Sequence, residues 1–490
     1  LLTCSPAHRS HLWTMKILHI SMECYPAAKY GGLGDVVGAL PIYLNKSGVS
    51  TAVIMPKYAT KWLNSQRYRE VFQGQIRVHN DYVWFSIEEV QNESLGFPLY
   101  VANIPGKFDR PGVYGDPGGG WYGDEVVRYL CFQQAVLKWV VDMQWKPQVL
   151  HCHDHHTGLI PFMVKYCPEF QALRNMPTVF TIHNGEYNGA FGWNNAHLLP
   201  FFQADARWLL DWANTICPLA AAIKCCWRFT TVSPGYLEEL KHSAAGLEPL
   251  MNSEMPKALG IINGIDTAVW DPTTDRYIAH KLEKGKVEEY KQKNKEKLHD
   301  RFRIIPDLPI ITFIGRLVRE KGADLIPDTI RRVLGSGIRA GFVVLGTGEP
   351  DLMQVFANMK HEFPGFYDAS LEYNEGLAHQ LYAGSDFLIM PSRVEPCGLN
   401  QMYACRYGSI PIVRSVGGLK DTIIDIGDQG GRGIRFDQFS VDDASMAIFR
   451  AVKVFSNPEV LASLRERIMA VDFSWERSAK DYARLYKSLS

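Results

Sequence analysis

What this 490-residue sequence lacks excludes several kinds of protein. No apolar run approaches the roughly eighteen residues that a membrane-crossing helix needs, so no membrane partner is expected. There is no charge imbalance either. The 52 Lys and Arg match 52 Asp and Glu, which leaves no field to draw in nucleic acid or an acidic membrane surface. Ten cysteines follow no framework spacing, and Cys225 and Cys226 are neighbours that do not easily bridge, so the thiols read as reduced and the protein as cytosolic. No short-period repeat is apparent. Leu1-Leu2-Thr3-Cys4 faintly resembles a lipoprotein cleavage box, yet neither a basic segment nor an apolar stretch precedes it. Residues 1–14, ahead of the first methionine, Met15, read as an upstream extension or remnant.

What is present describes a soluble globular chain, 46% hydrophobic and 21% charged. Its length predicts two or three domains. Aromatic content of 12%, with 12 tryptophans, suits a protein that stacks on sugar rings, although large cores use aromatics too. Along the chain, strand then helix repeats in two series. Lys16–Ser21 and Ser50–Met55 are buried strands, with a glycine loop and a helix over 35–46 between them. Val83–Val90 and Pro98–Ala102 look like an inserted hairpin-like pair. Gly118-Gly119-Gly120 precedes a long amphipathic helix to about Asp142, and Gln148–Cys152, Thr178–Ile182 and Phe229–Val232 are further strands. Residues 276–303, rich in Lys and Glu, read as a solvated helix. A second series then opens with strands at 309–314, 340–345, 370–373, 387–390 and 410–413. Short apolar strands alternating with helices imply parallel sheets covered on both faces, and two series imply two doubly wound domains. Ligands of such folds sit beyond the carboxyl ends of the strands, which here means a cleft between the domains.

The chain is organised around Pro391–Met402. An apolar strand, Phe387–Met390, runs into a rigid loop that carries one carboxylate, Glu395, and then into a helix stopping at Gly408. A carboxylate ahead of a helix start offers two chemistries at once. The acid holds hydroxyls, while the free amides of Gly398, Leu399 and Asn400 suit an anion such as phosphate. The alternative is a strand-to-helix turn with an incidental acid. Lys29, in the loop Lys29–Asp35 after the first strand, can reach a phosphate as a point charge, and the glycines beside it let the backbone approach a ligand. Arg316 and Lys321, on a tight loop after the first strand of the second series, would neutralise a departing diphosphate, or else form a solvated basic turn. His151-Cys152-His153-Asp154-His155-His156 is rich in ligating groups, with His151 and His153 on one face of a strand. No paired Cys or His motif stands nearby, so no metal is expected, and Asp154 is a strand-end hydroxyl binder. A lone histidine such as His183 at the next strand's end is more often a structural hydrogen-bonder than a catalyst.

Taken in order, Lys-x-Gly-Gly-Leu-Gly-Asp, His-x-His-Asp, Thr-Ile-His-Asn, Ile-Asn-Gly-Ile-Asp-Thr, Arg-Leu-x-x-x-Lys-Gly, Glu-Pro-Cys-Gly-Leu and the closing Asp472-Phe473-Ser474-Trp475 resemble the bacterial glycogen synthase and plant starch synthase family over residues 15–490. That resemblance implies the α/β GT-B fold, two Rossmann-like domains facing a deep interdomain cleft. The N-terminal, acceptor-side domain would span 15–260, completed by a C-terminal helix over 473–490, and the donor domain 261–472. The implied reaction is retaining transfer of glucose from ADP-glucose to the non-reducing end of an α-1,4-glucan. Glu395, Lys321, Arg316, His183 and Asp154 would be catalytic. Lys29, Gly32, Asn263, Tyr373, Cys397, Gly398, Leu399 and Asn400 would hold the donor, with Tyr373 stacking on the base and the His183 carbonyl facing the anomeric carbon. No metal and no pyridoxal phosphate would be needed. The compartment would be the cytoplasm, or the plastid stroma in a plant or alga.

The sequence departs from the family pattern at four positions. Tyr30 follows the lysine where threonine or valine is usual, His155 replaces tryptophan, Asn188 replaces glutamine, and Asn400 replaces threonine. Asn400 is expected to cap its helix and keep activity with altered donor affinity, and His155 to change acceptor contacts. UDP-glucose as donor stays open, since a stacked tyrosine tolerates any base. Two rival readings are a silent glucan-binding paralogue and an α-glucan phosphorylase. Retention of Lys29, Arg316, Lys321 and Glu395 argues against the first, and the second needs a pyridoxal-bearing lysine.

Overall fold

The computed structural model describes residues 15–78, 81–116 and 120–489. The expected upstream extension, and Gly118 and Gly119 of the glycine run, lie outside the described residues. The chain forms two compact units. One holds the residues up to Thr230, Ala245–Ala258 and those from Ala479 onward, and the other holds Thr231–Ala244 and Leu259–Ser478.

The first series builds nine strands: β1 (Lys16–Ile20), β2 (Ser50–Pro56), β3 (Tyr68–Val78), β4 (Asp81–Val90), β5 (Leu99–Asn103), β6 (Val149–His153), β7 (Thr178–Ile182), β8 (Arg228–Thr231) and β9 (Ala258–Gly260). They lie side by side as β9-β8-β7-β6-β1-β2-β5-β4-β3. β6, β1, β2, β5 and β7 are joined in parallel, and β3 and β4 extend the sheet antiparallel beyond β5. Their composition explains the arrangement. β6 and β7 are buried at every residue, as parallel strands covered on both faces must be. β3 fully buries only Ile76 among eleven residues, and the alternation of Phe72, Gly74, Ile76 and Val78 with Gln73, Gln75 and Arg77 was a usable strand signal that was missed. The hairpin-like pairing of β4 with β5 is found, but β5 also pairs in parallel with β2 and belongs to the main sheet.

The second series gives β10 (Ile310–Ile314), β11 (Gly341–Leu345), β12 (Tyr367–Ser370), β13 (Phe387–Met390), β14 (Ile410–Arg414) and β15 (Ile434–Phe436), all parallel, in the order β12-β11-β10-β13-β14-β15. This is the doubly wound order, and it reverses between β10 and β13. In the first sheet the corresponding reversal falls between β1 and β6. The strand expected over 370–373 ends at Ser370, because Asn374 turns the chain into a helix by accepting from the Leu377 amide at 2.9 Å. The Lys- and Glu-rich segment forms a helix only over Val287–Arg301, and it is not solvated all round. Tyr290, Lys291, Asn294 and Leu298 are buried, with Leu298 in the core beside Ile310 and Leu381. Burial holds the Lys291 ammonium well below its ordinary pKa, and its Nζ donates to the carbonyls of Tyr382 and Tyr407 at 3.0 and 3.3 Å. A lysine recruited to two orphan carbonyls cannot be told from a solvated one by composition.

Asp386, 2% exposed, fixes the start of β13. Its carboxylate accepts from Lys295 Nζ at 2.7 Å, Arg465 Nη2 at 2.6 Å and the Ile310 amide at 2.9 Å. Burial alone would raise this carboxyl, but Lys295, Arg465 and the Ile310 amide together hold it below the usual range. A depressed carboxyl stabilises the fold above its unfolded pKa and loses that contribution as pH falls through the folded value. Among the described residues no helix is long and apolar enough to cross a membrane, and the nine described cysteines are buried free thiols.

Replacing Asp386 with Ala leaves Arg465 buried beside a missing partner. It is expected to cost about 3–5 kcal/mol in urea unfolding at pH 7. The difference from wild type should begin to shrink below about pH 4, where the unfolded chain's carboxyl protonates while the native one is still held ionised. A constant difference down to pH 2 would contradict the assignment.

Candidate active site

In the first unit the functional side chains gather where β1 and β6, neighbours in the sheet, run out. Helix Gly32–Lys46 follows β1, and no side chain caps its first amides. The loop before it is shaped by Glu23, which is buried and accepts from the amides of Tyr30 and Gly31 at 2.6 and 3.0 Å and from Tyr114 Oη at 2.7 Å. Burial raises the Glu23 carboxyl and these three donors oppose the rise. Lys29 Nζ pairs with Asp35 at 2.7 Å. Glu23 was missed in the sequence, because a lone acid three residues past a strand carries no pattern of its own. The substitution Tyr30 exposes its ring and sets it edge-on to Tyr114, at a centroid distance of 5.5 Å.

Asp154 follows β6 with φ 58° and ψ 173°, a backbone region nearly reserved for glycine. It is held there from both sides. Its amide donates to the Thr181 carbonyl at 3.0 Å, its own carbonyl accepts from the Thr157 amide at 3.1 Å, and its Oδ1 accepts from the His183 amide at 2.7 Å. Burial pushes the carboxyl up to about 7, against the His183 and Asn184 amides, with the nearby Glu23 charge adding to the rise. His155 packs against His156 with ring centroids 3.8 Å apart and the rings tilted by 33°, and its ring fills the space where a Cβ on Gly189 would lie, 2.4 Å from His155 Cδ2. The departures His155 and Asn188 therefore belong to one patch of loop.

Behind Asp154 the structure assembles a histidine cluster of which only part was legible. As alternation predicts, His151 and His153 share a face, their ring centroids 4.3 Å apart. His19, from β1, joins them, and all three offer a nitrogen within a 4.8 Å span. Five of their six ring nitrogens are already hydrogen-bonded within the protein, all but His19 Nε2. His19 Nδ1 meets His153 Nε2 at 3.0 Å, His153 Nδ1 meets His183 Nε2 at 3.0 Å, and His151 lies between Tyr486 Oη and Thr181 Oγ1, each at 2.6 Å. His183 is thus tied into the fold through its ring as well as its amide. His19 stands 132 residues before His151, and only the β1–β6 pairing reveals that the two are neighbours.

In the second unit the loops after β10 and β13, again neighbouring strands, carry the charge. Lys321 Nζ bonds both oxygens of Glu395, at 2.8 and 2.9 Å, and Ser392 Oγ donates to Glu395 Oε2 at 3.0 Å. Glu395 is 6% exposed. Gly322, at φ 69°, lets the two loops meet, since a Cβ there would lie 2.1 Å from the Pro391 carbonyl oxygen. Arg316 is more exposed, 3.9 Å from Glu320, which itself lies 3.8 Å from Lys321. The Glu395 loop is braced from behind. Its Pro396 carbonyl accepts from Ser233 Oγ at 2.6 Å, and its Glu395 carbonyl from the Gly418 amide at 3.1 Å. A Cβ on Gly418 would lie 2.2 Å from the Cys397 carbonyl oxygen. This Gly417-Gly418 pair was missed, although two glycines opening a helix after a strand were a usable signal.

Around that loop, burial pushes the Cys397 thiol up to about 12, so it stays protonated, with a bond from the Asn263 backbone opposing the rise. Asn263 is 6% exposed, and its Oδ1 is a buried acceptor with no partner among the described residues. Gly398 and Leu399 lead into helix Asn400–Arg406, whose start has no side-chain cap. Asn400 does not cap it as expected. It is the first helical residue, and its Nδ2 donates instead to the Ile314 carbonyl at the end of β10, at 2.7 Å. Tyr373 lies in the loop past β12, 80% exposed.

Comparison with known proteins agrees with this architecture. Residues 16–253 match the starch synthase catalytic domain family and residues 294–468 match glycosyl transferases group 1. A glycogen synthase of Flavobacterium johnsoniae is 45% identical over 96% of this chain and 98% of its own. One from Geobacillus thermodenitrificans is 35% identical over 97% and 98%. Among solved structures, the catalytic domain of starch synthase IV from Arabidopsis thaliana, bound to ADP and acarbose, superposes with a TM-score of 0.85 at 31% identity, over 97% of this chain and 99% of that one. Sucrose-phosphate synthase from Thermosynechococcus elongatus shares the fold at a TM-score of 0.59 and 16% identity. Two doubly wound sheets, each with its charged loops at the strand-order reversal, and similarity along nearly the whole chain place this protein in the glycogen and starch synthase family of GT-B glycosyltransferases.

Proposed function

We propose that the protein elongates α-1,4-glucans, transferring glucose from ADP-glucose to the non-reducing end with retention at the anomeric carbon. The observation that carries this reading is the clamp of Lys321 on both oxygens of Glu395, with Arg316 on the same loop. Such a pair presents one hydroxyl-binding carboxylate and a cation beside it, the two things a sugar diphosphate requires. The starch synthase structure with ADP and acarbose agrees with that donor class. In domain terms, 15–260 with the helix over 473–490 serves the acceptor and 261–472 serves the donor.

Arg316 and Lys321 hold the diphosphate and stabilise it as it leaves, and Lys29 with the Gly32 amide adds to that charge. The amides of Gly398, Leu399 and Asn400 and the region of Cys397 receive the phosphates. Tyr373 stacks on the base. Glu395 accepts from sugar hydroxyls, and the unpartnered Oδ1 of Asn263 accepts from another. Asp154 and His183 line the glucose and acceptor side.

Glu395, paired with Lys321, serves here as a hydroxyl binder and not as a covalent nucleophile. Retaining hydrolases use two flanking carboxylates. Here the bond from the anomeric carbon to the phosphate oxygen breaks, the bond to the acceptor hydroxyl oxygen forms on the same face, and the acceptor proton passes to the departing phosphate. The lysines and the arginine supply the neutralisation, so no metal and no pyridoxal phosphate are required. The reaction would run in the cytoplasm, or in the plastid stroma of a plant or alga, with neither nucleic acid nor membrane as partner.

Purified protein is expected to incorporate glucose into glycogen from ADP-glucose in the presence of EDTA, with UDP-glucose run in parallel. Lys321→Ala should lower kcat/KM by about 100- to 1000-fold. Silence with both donors while glycogen still binds would overturn the reading in favour of a binding paralogue. The strained backbone of Asp154 gives a second test. Asp154→Gly and Asp154→Ala should both lose activity, yet the glycine variant should be more stable than the alanine variant by about 1–2 kcal/mol, because only glycine relaxes at that φ and ψ. Equal stability would contradict the strain.

A further inference from the structure

A row of imidazoles, buried apart from the half-buried His183, runs back from the proposed site, and the reaction described above uses only His183 of it. His183 Nε2 meets His153 Nδ1 at 3.0 Å, and His153 Nε2 meets His19 Nδ1 at 3.0 Å. The row ends at His19 Nε2, which is buried and has no partner among the described residues. His151 flanks it, with both nitrogens engaged by Tyr486 and Thr181 and its ring stacked 4.3 Å from His153. All the rings are neutral, since burial lowers His19 and His183 to about 3 and His153 well below its ordinary value.

A neutral imidazole donates from one nitrogen and accepts at the other. The row therefore has only two consistent protonation patterns, and each sets all three rings together. With a proton on every Nε2, the row runs from His183 toward His19 and ends in a buried His19 N–H with nothing to bond. With a proton on every Nδ1, it runs from His19 toward His183, and the unmatched group is only a lone pair. Buried donors without a partner are the rarer of the two in folded proteins.

We propose that His19 and His153 are positioning residues that lock His183 in its Nδ1–H tautomer, making that nitrogen a fixed hydrogen-bond donor to one hydroxyl of the donor sugar. This rests on the reading that His183 contacts the sugar. A hydroxyl that accepts from His183 keeps its own proton for a second partner, so the row fixes the direction of hydrogen bonding around the glucose.

The tautomer is read directly from the nitrogen chemical shifts of ¹⁵N-histidine-labelled, ligand-free protein, with His183 assigned by the signal lost in His183→Gln. The expected result is a protonated Nδ1 and an unprotonated Nε2 from pH 6 to 8, and a mixture of tautomers in His153→Phe. The opposite tautomer in the wild type would overturn the proposal, and this measurement needs no variant of the row to fold. Kinetics give a second readout, using ADP-glucose and its monodeoxy derivatives. His153→Phe, or His19→Phe if the first does not fold, should lower kcat/KM for ADP-glucose about tenfold. It should leave unchanged the derivative that lacks the hydroxyl bound by His183. An equal loss for every donor would mean a purely structural row and would overturn the proposal. Full activity in His183→Ala would instead overturn the placement of His183 at the sugar, and the spectroscopic result would stand apart from it.

Discussion

The ion pair of Lys321 with Glu395 is the constraint around which the second unit is arranged. It joins a loop leaving β10 to a loop leaving β13, and these strands are neighbours only because the strand order reverses between them. A parallel sheet opens a crevice at that reversal, beyond the carboxyl ends of its strands. Gly322 and Gly418 allow the close backbone approaches that hold the carboxylate in place, and Ser392 takes up the hydrogen-bonding direction that the lysine leaves. Removing either charge would strand the other in a mostly buried setting, so the pair is held by its cost of separation as much as by its attraction.

The first unit repeats the geometry with different chemistry. Its reversal lies between β1 and β6, and Lys29 and Asp154 stand on the loops that leave those two strands. Asp154 occupies a backbone region unfavourable for any residue with a side chain, and its neighbours Thr157, Thr181 and His183 hold it there. Strain of this kind persists where the surroundings over-determine it, which is the usual condition of a working site. Glu23 makes the matching contribution on the other loop, fixing Tyr30 and Gly31 with one carboxylate.

Much of this was legible in the chain itself. Short apolar strands such as Phe387–Met390 and Ile310–Ile314 are buried on both faces, and a run of such residues has few other uses. Loops at the ends of those strands could be picked out because glycine, proline and charge interrupt the apolar pattern there. The misses share a cause. β3 alternates only over 72–78 and fully buries Ile76 alone, so its pairing with β4 does most to fix it as a strand. Lys291 and Asn400 have their side chains committed to carbonyls that are distant in sequence, Lys291 to Tyr382 and Tyr407, and Asn400 to Ile314. His19 acquires its partners only once β1 lies beside β6. Local pattern reports which residues are buried and where the chain turns. It does not report which polar groups find each other across the sheet.

The central claim is that fixed side-chain cations hold the donor diphosphate. Calorimetric titration of ADP into the ligand-free protein, in EDTA and at two salt concentrations, tests it most directly. The account predicts saturable one-to-one binding without added metal, weaker at the higher salt as screening acts on Lys321 and Arg316. Binding that appears only when a divalent cation is supplied would contradict it.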